Sequence, residues 1–81
     1  MRLLRMMSGH GEVLLAEGDP QLREDEQALA AAFREQLELG MWAAVPTSEP
    51  DGRRRGAMVT SFDDVPRDAE RVIFFPRAAG G

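Results

Sequence analysis

The sequence predicts an α+β domain with one main helix packed across one face of a mixed sheet of four to five strands. Three observations carry that expectation. The stretch from Gln21 to Leu39 holds no glycine or proline and is long enough for a helix of several turns. Short apolar segments bounded by turn residues lie on both sides of it. The outermost of these, around Leu3-Leu4 with Met6-Met7 and at Val72-Ile73-Phe74-Phe75, are apolar without alternation, as strands covered on both faces are.

Taken in order, Arg2 to Met7 and Glu12 to Ala16 flank Ser8-Gly9-His10-Gly11, and so form a hairpin around a glycine-containing loop. Glu17-Gly18-Asp19-Pro20 ends that hairpin. Asp19 is placed to cap the helix, and Pro20 suits the first helical position, where its missing N–H has no partner in any case. Glu24, Asp25 and Glu26 put negative charge in the first turns, where the helix dipole favours it, and Gly40 stands where a C-terminal cap belongs. Leu22, Leu29, Phe33 and Leu37, with Ala30 beside them, recur at helical spacing. Glu24, Gln27, Arg34, Glu35 and Glu38 form the opposite side. A one-sided helix needs a surface to cover, and the sheet supplies it.

After Gly40, Met41 to Pro46 is a strand candidate, with the only tryptophan, Trp42, expected in the core. Thr47 to Gly56 is a polar loop with a Pro-Asp-Gly turn signal and the run Arg53-Arg54-Arg55, expected to be a solvated tip. Ala57 to Phe62 alternates Met58, Thr60 and Phe62 against Val59 and Ser61, as a strand with one buried face does. A loop follows, and Arg71 to Phe75 is the last strand. With the two continuous apolar strands side by side in the middle, this order of elements is that of the β-grasp. Residues 1–75 form the domain and 76–81 a flexible tail.

Composition narrows function by exclusion. Eighty-one residues make one domain, and a chain this short buries only ~60% of its unfolded surface. There is no cysteine, which excludes disulfides and thiol chemistry. A net charge of −4 argues against non-specific nucleic-acid binding. All ten basic residues are arginine, so the chain has no side-chain amine through which it could be joined to itself. No apolar run approaches the ~18 residues that span a bilayer. The first seven residues lack the ~7–15-residue apolar stretch of a signal peptide. The expected location is the cytoplasm.

The tail carries the chemistry. Pro76 has no amide donor, so ladder pairing is expected to weaken or stop there. Arg77, Ala78, Ala79, Gly80 and Gly81 then extend by up to ~20 Å at about 3.3 Å per residue. A C-terminal carboxylate, with a pKa of about 3.3–3.7, is ionised at neutral pH and inert to nucleophiles until activated, typically as an acyl-adenylate. Threading such a terminus into a narrow activating channel favours two residues without Cβ atoms.

Val72-Ile73-Phe74-Phe75-Pro76-Arg77-Ala78-Ala79-Gly80-Gly81 resembles the end of the MoaD/ThiS family of ubiquitin-like sulfur carriers: a hydrophobic strand, proline, small residues and Gly-Gly. The resemblance covers about the last ten residues, and Arg77 stands where a second proline is common in that family. It implies a ubiquitin-like fold and adenylation of Gly81 by a partner enzyme, which consumes ATP. Transfer to sulfur then makes a thiocarboxylate for a sulfur acceptor, or attack by a target lysine makes a protein modifier. On this reading the chain is no enzyme and binds no cofactor; Gly81 is a carried reactant. Ubiquitin-like domains usually bind through the uncovered sheet face, for which Ile73, Phe75 and Val45 are the candidate contact residues. The last strand leaves open whether Val72 and Phe74 or Ile73 and Phe75 point that way.

Other residues have plainer readings. His10, the single histidine, sits in a glycine-rich turn without a second metal ligand. Asp63, Asp64, Asp68 and Glu70 lack a calcium-loop pattern and read as a charged loop. No nucleophile–base constellation is present. The alternative to the carrier is a small acidic protein-interaction module whose tail has no chemical use.

Overall fold

The computed structural model describes residues 1–7, 9, 11–48, 52 and 54–77, with backbone alone for Ser48, Arg54 and Arg55. The expectations for Ser8, His10, Arg53, residues 49–51 and the tail residues 78–81 lie outside them.

Five strands form one sheet: β1 (Arg2–Met7), β2 (Gly11–Glu17), β3 (Met41–Ser48), β4 (Arg54–Val59) and β5 (Arg71–Pro76). The spatial order is β2-β1-β5-β3-β4. β1 and β5 run parallel at the centre, and the other pairs are antiparallel. The two strands whose sequences are apolar without alternation are therefore neighbours with strands on both sides. One helix, α1 (Arg23–Glu38), packs on one face, making the domain α+β with a mixed sheet.

Alternation in the strands decides what the helix covers. Leu3, Val72, Phe74, Met41, Ala43, Val45 and Val59 join Leu29 and Phe33 of α1 in a single core. Phe33 is its centre. Its ring meets Phe74 edge-on at 5.3 Å and Phe62 at 5.8 Å, the geometry that aromatic quadrupoles favour. Leu37 and Ala32 are partly buried against this core, and Gln36 is buried beside it.

The helix ends as expected and begins differently. Gly40 adopts φ +87°, a left-handed conformation that costs glycine little, while its N–H reaches the Leu37 carbonyl. At the other end Asp19 does not cap α1. Its carboxylate accepts from the Gln21 N–H and its carbonyl from the Leu22 N–H, a local turn that delays the helix to Arg23. Leu22 becomes an extended cap residue with no side-chain capping bond. It is displaced from the stripe it would have joined in a longer helix, and its side chain is exposed. Gly18 meets the helix here: a Cβ on it would lie 2.9 Å from that of Asp25, whose carboxylate accepts the Asp19 N–H.

Three further expectations are corrected. β3 continues to Ser48, and β4 begins at Arg54 instead of Ala57, because the hairpin ladder runs up to Ser48↔Arg54. Arg54 and Arg55 thus lie on a strand and not on a loop tip. Phe62 leaves the strand: Ser61 accepts the Asp63 N–H, starting a 3-10 turn over Phe62–Asp64 that swings the Phe62 ring onto Phe33. Trp42 is not core; its parity on β3 is opposite to that of Met41 and Ala43, and it is 45% exposed.

The 66–70 segment is tied to the start of the helix. The Arg67 guanidinium donates to the Pro20 carbonyl at 2.7 Å and pairs with the Glu26 carboxylate. Among the described residues no helix is long and apolar enough to cross a membrane.

Candidate functional site

Among the described residues no element lies on the face of the sheet opposite α1, and the centre of that face is apolar. Cross-strand register lines up Leu14 on β2, Leu4 on β1, Ile73 on β5, Ala44 on β3 and Met58 on β4, one residue from every strand. Leu4 is only 7% exposed yet stands apart from the helix-side core, so its flanking neighbours on this row cover it. Leu14 and Met58 at the two ends are about half exposed, and so is Met6, which shares a face with Leu4. Gly56 lies on the same side, since a Cβ there would touch that of Ala44 at 3.6 Å.

The C-terminal end of β5 adjoins this row. β5 ends at Pro76, paired with Met41, so the ladder stops at the proline as its missing donor requires. Phe75 is opposite Trp42, their ring centroids 6.3 Å apart. Arg77, the next residue of the same parity, lays its guanidinium over the Trp42 indole at 5.9 Å. Trp42, Met58 and Arg77 also border a groove at this end of the sheet, shared with Leu37 and Met41.

The sequence-predicted residues separate accordingly. Ile73 and Phe75 lie on the open face, half-buried between neighbouring strands, whereas Val72 and Phe74 are fully buried under the helix. Val45 is corrected: it is 4% exposed and part of the helix-side core, because its strand position has the parity of Met41 and Ala43. It cannot touch a partner on the open face. Pro76 and Arg77 are placed as above, and Ala78, Ala79, Gly80 and Gly81 lie outside the described residues.

Leu4, Leu14, Trp42 and Met58 belong to the open face and were not anticipated there. A signal was available in β5: Arg71, Ile73, Phe75 and Arg77 share one parity, and a set that begins and ends in arginine belongs on the solvent side. Register through Phe75 would then have carried Trp42 to the same face.

Charge is segregated between the layers. The helix and residues 60–70 together hold nine carboxylates against three arginines, while the strands hold five arginines against two glutamates. Among the described residues no group of three or more His, Asp or Glu side chains is gathered closely enough to hold a metal ion. No protein family matches the chain, and comparison with curated proteins and with solved structures finds no match.

Proposed function

We propose that this chain is a ubiquitin-like carrier or modifier of the β-grasp class, working through the carboxylate of Gly81. The observation that carries the proposal is the position of β5. A central strand, parallel to β1, ends at Pro76 and leads directly into the tail beside an uncovered apolar face. The sheet order and the single helix are compatible with a β-grasp, and the tail sequence resembles that of the MoaD/ThiS family.

In the proposed reaction a Gly81 carboxylate oxygen attacks the α-phosphorus of ATP on a partner enzyme, and pyrophosphate leaves. Hydrosulfide then attacks the carbonyl carbon of the acyl-adenylate and AMP leaves, giving a thiocarboxylate, or the amine of a target lysine attacks there and AMP leaves, giving an amide. The open face, through Ile73 and Phe75, docks the activating partner while the tail enters its channel. The chain itself supplies no acid, base or cofactor.

The test is the intact mass of the full chain after incubation with ATP and lysate from its source, with a chain lacking Gly81 as control. The mass of the mature chain first establishes that Gly81 is terminal. Replacement of one oxygen by sulfur identifies a sulfur carrier, and attachment through Gly81 to other proteins identifies a modifier. No change, under conditions in which a known carrier reacts, removes the proposal.

A second reading is favoured by the same apolar face: a protein-interaction module that binds through the sheet and makes no use of the tail. Removing Gly80 and Gly81 abolishes the first function and leaves the second intact.

A further inference from the structure

A groove lies at the end of the sheet where α1 finishes. Its floor is Met41 and Ala43 of β3 and Val59 of β4, all of the parity that faces the helix, and Leu37 of α1 forms one wall. Trp42 and Met58, of the opposite parity, form the other wall, with Thr60 at the rim. Since both parities line it, the groove wraps around the end of the sheet and belongs to neither face. It encloses about 410 Å³. That lies within the ~300–1,000 Å³ of small-molecule sites, which are likewise mostly apolar with a few placed polar groups. One lining residue is charged: Arg77, whose guanidinium rests over the Trp42 indole. Among the described residues no carboxylate pairs with it.

We propose that this groove binds a small carboxylic acid with a compact apolar body. The apolar part lies on Met41, Val59 and Leu37. The carboxylate accepts from the edge of the Arg77 guanidinium, whose plane rests on the indole. A carboxylate matches that planar fork and adds only one charge to a chain already at −4. The adjoining cavity, beyond Leu37 and Thr60, contains both Arg34 and Asp63. It therefore adds no net sign, and the preference is set at Arg77.

The shape of the groove selects a small occupant over a protein. Met41 and Val59 are 9% exposed and Ala43 1%, so the floor is recessed and only the rim offers contact area. A stable protein interface takes about 800 Å² and about 20–30 residues from each partner. Eight residues line the groove. A second copy of the chain would also bring its own charge of −4 against the first.

The proposal goes beyond the carrier reading, because it uses neither Gly81 nor the apolar row of the open face. The experiment titrates octanoate, octanamide and octylamine into the full chain, following Trp42 emission and the single indole N–H resonance. Salt of about 0.15 M screens the net charge of the chain. Octanoate is expected to bind about tenfold more tightly than the amide or the amine, the scale of a hydrogen bond to a charged group. Arg77→Gln erases that preference while circular dichroism shows the fold intact. Met58→Asp, at an exposed position on the wall, excludes octanoate and favours octylamine. Leu14→Asp, at the opposite edge of the sheet, leaves binding unchanged, and so does removal of Gly80 and Gly81. No saturation with octanoate, equal binding of the three probes, or indifference to Arg77→Gln would each overturn the proposal. So would loss of binding in Leu14→Asp, which would place the ligand on the open face. A dimer of the free chain that Met58→Asp dissolves would overturn it by making a second copy the occupant. Binding seen only without Gly80 and Gly81 would do so by making the chain's own terminus the occupant.

Discussion

Arg77 rests over the indole of Trp42, its guanidinium carbon 5.9 Å from the ring centroid, so the first residue beyond the last strand is held to the sheet by a side chain. A cation over an exposed aromatic ring stabilises by about 0.5–1 kcal/mol. That is too little to hold the fold and enough to bias where Arg77 lies.

Arg77→Ala should therefore leave the fold intact, lowering stability by no more than about 1 kcal/mol, while changing the emission and acrylamide quenching of Trp42. Because Trp42 is the sole tryptophan, the signal has one source. Arg77→Lys keeps the charge but replaces the delocalised guanidinium with a compact, more strongly hydrated ammonium, and should fall between the two. Identical spectra for all three chains would show that the contact does not persist in solution.

Phe33 is the residue on which the helix depends. With Phe62 and Phe74 against its edges and no exposure to speak of, Phe33→Ala should cost about 3–5 kcal/mol. Small domains have about 5–15 kcal/mol of stability in total. Urea denaturation should place this variant at or near unfolding in water, whereas Phe33→Leu retains a cooperative transition.

Val45 and Met58 test the assignment of the two faces. Val45→Asp puts a carboxylate beneath the helix without a partner, and should lose about 3 kcal/mol or more. Met58→Asp, on the open face, should lose only about 1 kcal/mol and remain folded. Equal stability of the two variants in urea would mean that the faces are misassigned.

Gln36 offers the opposite kind of test. It is 7% exposed, and its side-chain carbonyl has no hydrogen-bond partner among the described residues. Gln36→Leu keeps the volume and removes the unpaired group, so stability should rise by about 1–2 kcal/mol. A fall in the urea midpoint would show that the amide is satisfied in solution.

Secondary structure was largely legible in the sequence because its determinants are local. Gly40 ends α1 through a backbone angle that its own lack of Cβ permits, and Pro76 ends β5 by lacking a donor. Where prediction and structure part, a competing contact decides. Asp19 had a capping residue's chemistry but used it on Gln21, and Leu22 was lost from the stripe with it. Phe62 continued an alternating pattern until Ser61 turned it onto Phe33.

By itself the sequence determined the order of strands and helix and the central place of the two apolar strands, since each follows from residues close together in the chain. Only the tertiary structure decided which parity of each strand faces the helix. Ile73 and Phe75 are as apolar as Val72 and Phe74, and Val45 is as suited to a partner as to a core. The choice was made by register with neighbouring strands and by the helix seated on Phe74. Those are contacts between residues distant in sequence, of which the chain itself carries only the trace that Arg71 and Arg77 share the parity of Ile73 and Phe75.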